Sequence, residues 1–239
     1  MTVAESGPSD SYVVGVDGCP GGWVAVELRA DQWAARVFTT FAELAEYHDA
    51  AACIGVDIPI GLGQGGVRAC DTAARKMIKP RGSCVFNPPD PRILDCSTHA
   101  EAMSLLRELG LPGVSKQTMA ILPKIAEVDG YMTPDRQSRI VEVHPEVSFC
   151  ALNDNHPILI KKARTAGYDI RAALLREKLG LTIGTRREMR VQVEHAKPDD
   201  VLDAIVAAWS ARRMVNGVAK RLPEISETNA DGLRMEIVY

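Results

Sequence analysis

Residues 13–26 read VVGVDGCPGGWVAV. The one charge in this stretch, Asp17, ends an apolar run and meets a turn of Gly18, Cys19, Pro20, Gly21 and Gly22; a second apolar run starts at Trp23. β-Branched residues on both sides of a Gly/Pro turn predict a hairpin. Two readings of Asp17 follow. It is a turn residue, a role that suits a short acidic side chain, or it is a carboxylate presented at the end of a buried strand. The stretch alone leaves both open.

Composition narrows the class. The 239 residues are 46 % hydrophobic and 25 % charged, with a net charge of −3. That suits one α/β domain with an insertion, or two small domains, with enough apolar residues for a core. It argues against a protein held on nucleic acid by bulk positive charge, although a local basic patch is compatible with it. No apolar run reaches the length of a membrane span. Residues 1–11 are polar, lack the basic-then-apolar pattern of a signal peptide, and read as a flexible tail. The six cysteines (19, 53, 70, 84, 96 and 150) contain no C-x-x-C pair and read as reduced, mostly buried thiols, which points to the cytoplasm. The five scattered histidines add no zinc spacing.

Local patterns predict strands over Tyr12 to Asp17, Trp23 to Arg29, Ala34 to Thr39, Cys53 to Ile58 and Ile140 to Val143. They predict helices over Phe41 to His48 with Thr40 as N-cap, and near Pro145–Leu152, Asp169–Leu179 and Pro198–Asn216. Leu233 to Tyr239 reads as an edge strand or packed extension. Three strands in hairpin order, then strands separated by helices, predict a mixed sheet with helices on both faces. Residues 61–134 are richer in Pro, Gly and basic side chains. With helical pieces at Arg68–Met77, Thr98–Leu109 and Lys116–Val128, they read as a helical and loop insertion within one domain spanning 12–239.

The acids recur in a pattern. Gly55-Val56-Asp57 repeats Gly15-Val16-Asp17, placing a second carboxylate at the end of a second apolar strand. The stretch RIVEVHPEVSF carries Glu142 inside a third strand and Glu146 just beyond it. Parallel strands aim their carboxyl ends at one crevice, where α/β sheets keep their ligands. In KPDDVLDAIVAAW, Pro198 and Asp199 read as a helix start, and acids there favour the helix dipole. Asp200 and Asp203 are three apart on one helix face, and Asp203 flanks the buried side marked by Leu202, Ile205 and Val206. Converging carboxylates repel, so a protein keeps them to share a proton or to hold a cation. Oxygen-only ligands favour Mg²⁺ or Mn²⁺, often as two ions about 3.5–4 Å apart in phosphodiester chemistry.

The stretches GVDGCPGGWVAV, GVDIPIGL, CDTAARKMI, RGSCVFNPP, SKQTMAILPKIAEVD, EVHPEVSF and DDVLDAIVAAWSARR together resemble a bacterial and archaeal family of predicted RNase H-like nucleases, long catalogued as a domain of unknown function. The resemblance runs from about residue 12 to 239. It implies an RNase H-like fold related to RuvC-type resolvases. In that superfamily an acid on the first strand, one on the fourth strand and one or two on the last helix bind the metals. Those roles fall on Asp17, Asp57, and Asp200 with Asp203. Glu142 follows the EVHPE motif but is an additional acid for the superfamily. On this reading the glycines after Asp17 leave room for a phosphate.

The remaining candidates serve substrate. Arg75 and Arg81 in the insertion are candidate phosphate contacts, against the alternative of a solvated helix face. Lys116 and Gln117 start a predicted helix and face the crevice, whereas Lys124 and Glu127 read as a surface pair. His144 contacts phosphate or water, or else caps the following helix. Lys161 and Lys162 read as exposed. The three tryptophans read as packing residues, not base-stacking platforms. The function expected is a metal-dependent phosphodiesterase acting on nucleic acid or another phosphoester. The alternatives are an ATP-binding module related to the actin and sugar-kinase fold, and a non-catalytic binding protein.

Overall fold

Strand β1 (Val13–Cys19) sits at the centre of a five-stranded sheet ordered β3-β2-β1-β4-β5. In the computed structural model, which describes residues 11–239, β2 (Gly22–Arg29) pairs antiparallel with β1, and β3 (Gln32–Phe38) pairs antiparallel with β2. On the other side β4 (Cys53–Val56) runs parallel to β1, and β5 (Ile140–Glu142) runs parallel to β4. The expected mixed sheet is present. Of the expected tail, 1–11, all but Ser11 lies outside the described residues.

Alternation along each strand assigns its two faces. Val14, Val16, Trp23, Ala25, Ile54 and Val56 meet Phe41 and Leu44 of α1 (Phe41–Tyr47) and Ile125 and Val128 of α4 (Lys116–Tyr131). Val13, Val24, Val26, Cys53 and Val141 face a second core with α5 (Pro145–Leu152), α6 (Thr165–Leu179), α7 (Arg186–Gln192) and α8 (Pro198–Val215). Thr40 caps α1 as expected: its side chain accepts from the Glu43 N–H, and the Glu43 carboxylate accepts from the Thr40 N–H.

The segment 61–134 does not stand apart from the sheet. It carries α2 (Ala69–Met77), α3 (His99–Glu108) and α4. α4 covers one sheet face, while Cys70 and Ala74 of α2 pack with Val147 and Cys150 of α5 and with Met235 and Ile237 of the last strand. That strand, β7 (Arg234–Val238), is not an edge of the main sheet. It pairs with β6 (Arg221–Thr228) in a separate two-stranded ribbon. The sequence reading gave no sign of β6 or α7. All six cysteines are free. Among the described residues no helix is long and apolar enough to cross a membrane.

α8 is buried along nearly its whole length because the sheet beneath it lacks side chains where it crosses. Gly15 and Gly55 are partners across β1 and β4. A Cβ added to Gly15 would lie 1.9 Å from the Ala204 carbonyl oxygen and 2.2 Å from the Ala208 nitrogen, and one on Gly55 would lie 2.8 Å from the Ala207 oxygen. These neighbours are helix backbone and cannot rotate away. Gly15→Ala should therefore push α8 off the sheet and cost about 1–3 kcal/mol or more, as overpacking does. Urea unfolding measures it; an unchanged midpoint would show that α8 does not approach β1 this closely.

Candidate metal centre

The two Gly-Val-Asp stretches lie side by side. Gly15 pairs with Gly55 and Val16 with Val56, so Asp17 and Asp57 emerge together at the carboxyl ends of two adjacent parallel strands. The Asp57 N–H donates to the Val16 carbonyl at 2.9 Å. With a two-residue period, Asp17 shares the face of Gly15, the face on which α8 lies. The close helix brings the buried Asp203 down onto the pair. One carboxylate oxygen from each of Asp17, Asp57 and Asp203 lies within 4.8 Å of the others.

This arrangement is electrostatically uphill. Burial pushes the Asp17 carboxyl well above the usual range, and the Asp57, Asp203 and Asp200 carboxylates add to it. Burial likewise pushes Asp57 up to about 7, with Asp203 and Glu146 reinforcing the shift and Lys162 opposing it. Asp203 is raised mainly by burial, again against Lys162. Among the described residues no donor hydrogen-bonds to the Asp17 or Asp57 carboxylate, although Asp17 is only 7 % exposed. Three hard oxygen ligands this close together, with a hydrogen-bond donor on Asp203 alone, fit a small divalent cation.

Asp200 stands beside the triad with a second task. It accepts from the Lys197 N–H at 3.2 Å, closing the first turn of α8, and burial raises its carboxyl to about 6. Asp199 sits in the same turn and pairs with Arg186 at 3.2 Å, as a helix-start acid would.

Glu142, expected inside its strand, is the last residue of β5 and lines the crevice with Asp17 and Asp57, yet an arginine already engages it. Arg68 grips it through two bonds of 2.7 Å and also holds Asp71 at 2.8 and 2.9 Å. Glu142 accepts from the Ile60 N–H at 2.7 Å, and Arg68 donates to the Ile60 carbonyl at 3.1 Å. This buried triad thus clamps both backbone groups of a residue three positions after Asp57, fixing the turn that carries it.

The other expected residues divide. His144 lines the crevice, and Arg81 lines its larger part. His144 occupies the N-cap position of α5 without a side-chain capping bond; its Nδ1 is buried without a partner, and burial lowers its pKa, which favours the neutral ring. Arg81 donates to the Cys84 sulfur at 2.9 Å and the Leu159 carbonyl at 3.0 Å, and meets Glu146 at 3.4 Å. Arg75 is turned away from the crevice, toward Asn87 and the Val85 carbonyl, where it braces its own loop. Lys116 is exposed at the start of α4, and it is Gln117 that lines the crevice.

Two expectations are corrected. Lys124 and Glu127 do not pair on the surface, because α4 turns both toward the β1–β2 hairpin. Lys124 donates to the Gly22 carbonyl and lies 4.5 Å over the Trp23 ring; Glu127 accepts from the Trp23 indole at 2.9 Å and from the Phe41 N–H. Lys162, expected to be exposed, is half-buried and paired. Its ammonium pairs with Asp203, and Asp17 and Asp57 help hold it in the charged form. No spacing in the sequence marked Lys162 or Arg68; only a count of buried acids needing cations would have pointed toward them.

The crevice has two parts, of about 250 Å³ and about 470 Å³, with Asp57, Phe86, Gln117, His144 and Lys162 on both. The fold and site together define a class: a mixed α/β protein with a buried carboxylate centre at the carboxyl ends of parallel strands. The chain belongs to the family described as protein of unknown function (DUF429), whose model matches residues 15–228. No curated protein and no solved structure matches it.

Proposed function

We propose that this protein is an RNase H-like, divalent-metal-dependent phosphodiesterase acting on nucleic acid or another phosphoester in the cytoplasm. The observation that carries the reading is the convergence of Asp17, Asp57 and Asp203 to within 4.8 Å. The strand order supports it: three antiparallel strands followed by two parallel ones, with the third acid on the last helix.

Asp17, Asp57 and Asp203 would hold Mg²⁺ or Mn²⁺, with Asp200 beside them. Such an ion supplies Lewis-acid polarisation of a phosphoryl oxygen and an acidified water. The chain's own residues do the rest. The Arg68–Glu142 clamp keeps Asp57 in position. Arg81 and Gln117 offer donors along the crevice, and the neutral His144 ring presents a polar atom beside the acids. Phosphate oxygens match such donors.

A single-turnover assay on labelled single-stranded, duplex and branched DNA and RNA, with an ATPase assay in parallel, tests the reading. Mn²⁺- or Mg²⁺-dependent cleavage is expected, and Asp203→Asn should lower its rate by orders of magnitude while circular dichroism stays unchanged. Cleavage that survives Asp203→Asn, or ATP hydrolysis without cleavage, would overturn it.

A further inference from the structure

Three features of the centre bear on how many ions it takes. The first is size. Around Mg²⁺, oxygen ligands sit at about 2.0–2.1 Å, so opposite ligands are roughly 4.2 Å apart. Oxygens gathered within 4.8 Å therefore match the surroundings of one ion. Two ions about 3.5–4 Å apart need further carboxylates on their outer sides.

The second is that the nearby acids already accept hydrogen bonds from the protein. Glu142 is gripped by Arg68. Glu146 receives two bonds of 2.8 Å from Arg171. Asp200 accepts from the first turn of its own helix.

The third is Lys162. It comes from the loop between α5 and α6, and its ammonium reaches Asp203 at the triad. The ammonium is therefore already seated on one of the three converging carboxylates, where a second divalent ion would have to bind.

We propose that the Lys162 ammonium fills the second cation position of this centre, so that each chain takes one divalent ion and not two. This rests on the metal-centre reading above. A fixed ammonium gives the site a second positive charge that does not depend on metal concentration, and it limits the repulsion among the aspartates before the ion arrives. Binding of metal is then a one-site event.

Mn²⁺ counted per chain by equilibrium dialysis, with electron paramagnetic resonance of the free ion, tests this on the full chain. One ion is expected in the wild type, one in Lys162→Arg, which keeps the charge, and two in Lys162→Met, where the position is open. Two ions in the wild type would overturn the proposal, and that count does not depend on any variant folding. One ion in all three proteins, with unchanged affinity, would also overturn it and leave the metal centre standing. No bound ion in any of them would remove the metal centre and this proposal together.

Discussion

Asp17→Asn should erase the stabilisation that Mn²⁺ or Mg²⁺ gives to the wild-type protein. An ion that binds only the folded state adds about 2.7 kcal/mol at a hundred times its dissociation constant. For a chain of this length that is a rise in melting temperature of roughly 5–10 °C. The effect depends on Asp17 because it is one of three converging ligands among the described residues, and asparagine offers a neutral oxygen in its place. Without metal the variant should be at least as stable as the wild type, since one of several repelling charges is gone.

The same experiment has a pH signature. Asp57 is pushed up to about 7 and Asp200 to about 6, both first by burial, whereas an unfolded aspartate titrates near 3.9. Between these values the folded state binds more protons than the unfolded one. The stability of the metal-free protein should therefore fall as pH rises from about 4 to about 7. The divalent ion needs the deprotonated ligands, so its stabilising effect should grow over the same window. Scanning calorimetry at pH 5 and pH 8, with and without Mn²⁺, measures both trends. An equal metal-induced shift in Asp17→Asn would place the ions elsewhere.

Arg68→Met should be the most destabilising single change near the site. Arg68 is 1 % exposed and is the cation between Glu142 and Asp71, which are 5 % and 3 % exposed. Removing one partner of a buried ion pair leaves a charge without water or a counter-ion and costs about 3–5 kcal/mol. Here two carboxylates lose their cation. Glu142, whose carboxyl burial already pushes up to about 7, should take up a proton in the variant, so the loss should be smaller at pH 5 than at pH 8. Glu142→Gln should cost less, because Arg68 keeps Asp71. Arg68 and Glu142 also hold Ile60 on both sides, so the variant should bind Mn²⁺ more weakly through a loosened Asp57 turn. Urea unfolding at the two pH values reads the stability. A loss below about 1 kcal/mol would mean that water reaches these carboxylates.

Asp17, Asp57 and Asp203 were legible in the chain because their signals are local. An acid closing an apolar run marks a strand end, and an acid flanking an apolar helical stripe marks a buried helix edge. The paired Gly-Val-Asp stretches carried more: with the strands parallel and in register, the matching glycines open the groove for α8 and the matching aspartates fall together. Glu142, read inside its strand, was counted with Asp57 as a site acid, and what separates them lies outside their own strands. Arg68, 74 positions away, pairs with Glu142, while among the described residues no donor hydrogen-bonds to the Asp57 carboxylate. Lys162 and Asp203 are 41 positions apart, and Lys162 follows an apolar run as an ordinary exposed lysine would. Arg75 and Lys116 looked as well placed for a phosphate as Arg81, until loop and helix packing turned one aside and left the other in solvent. The run of residues thus carries which side chains stand at the ends of buried elements, because periodicity and burial are local properties of a strand or helix. Which charges meet is a property of the packed chain, because an ion pair depends on distance in space, and only folding brings a lysine or an arginine from another element to a given carboxylate.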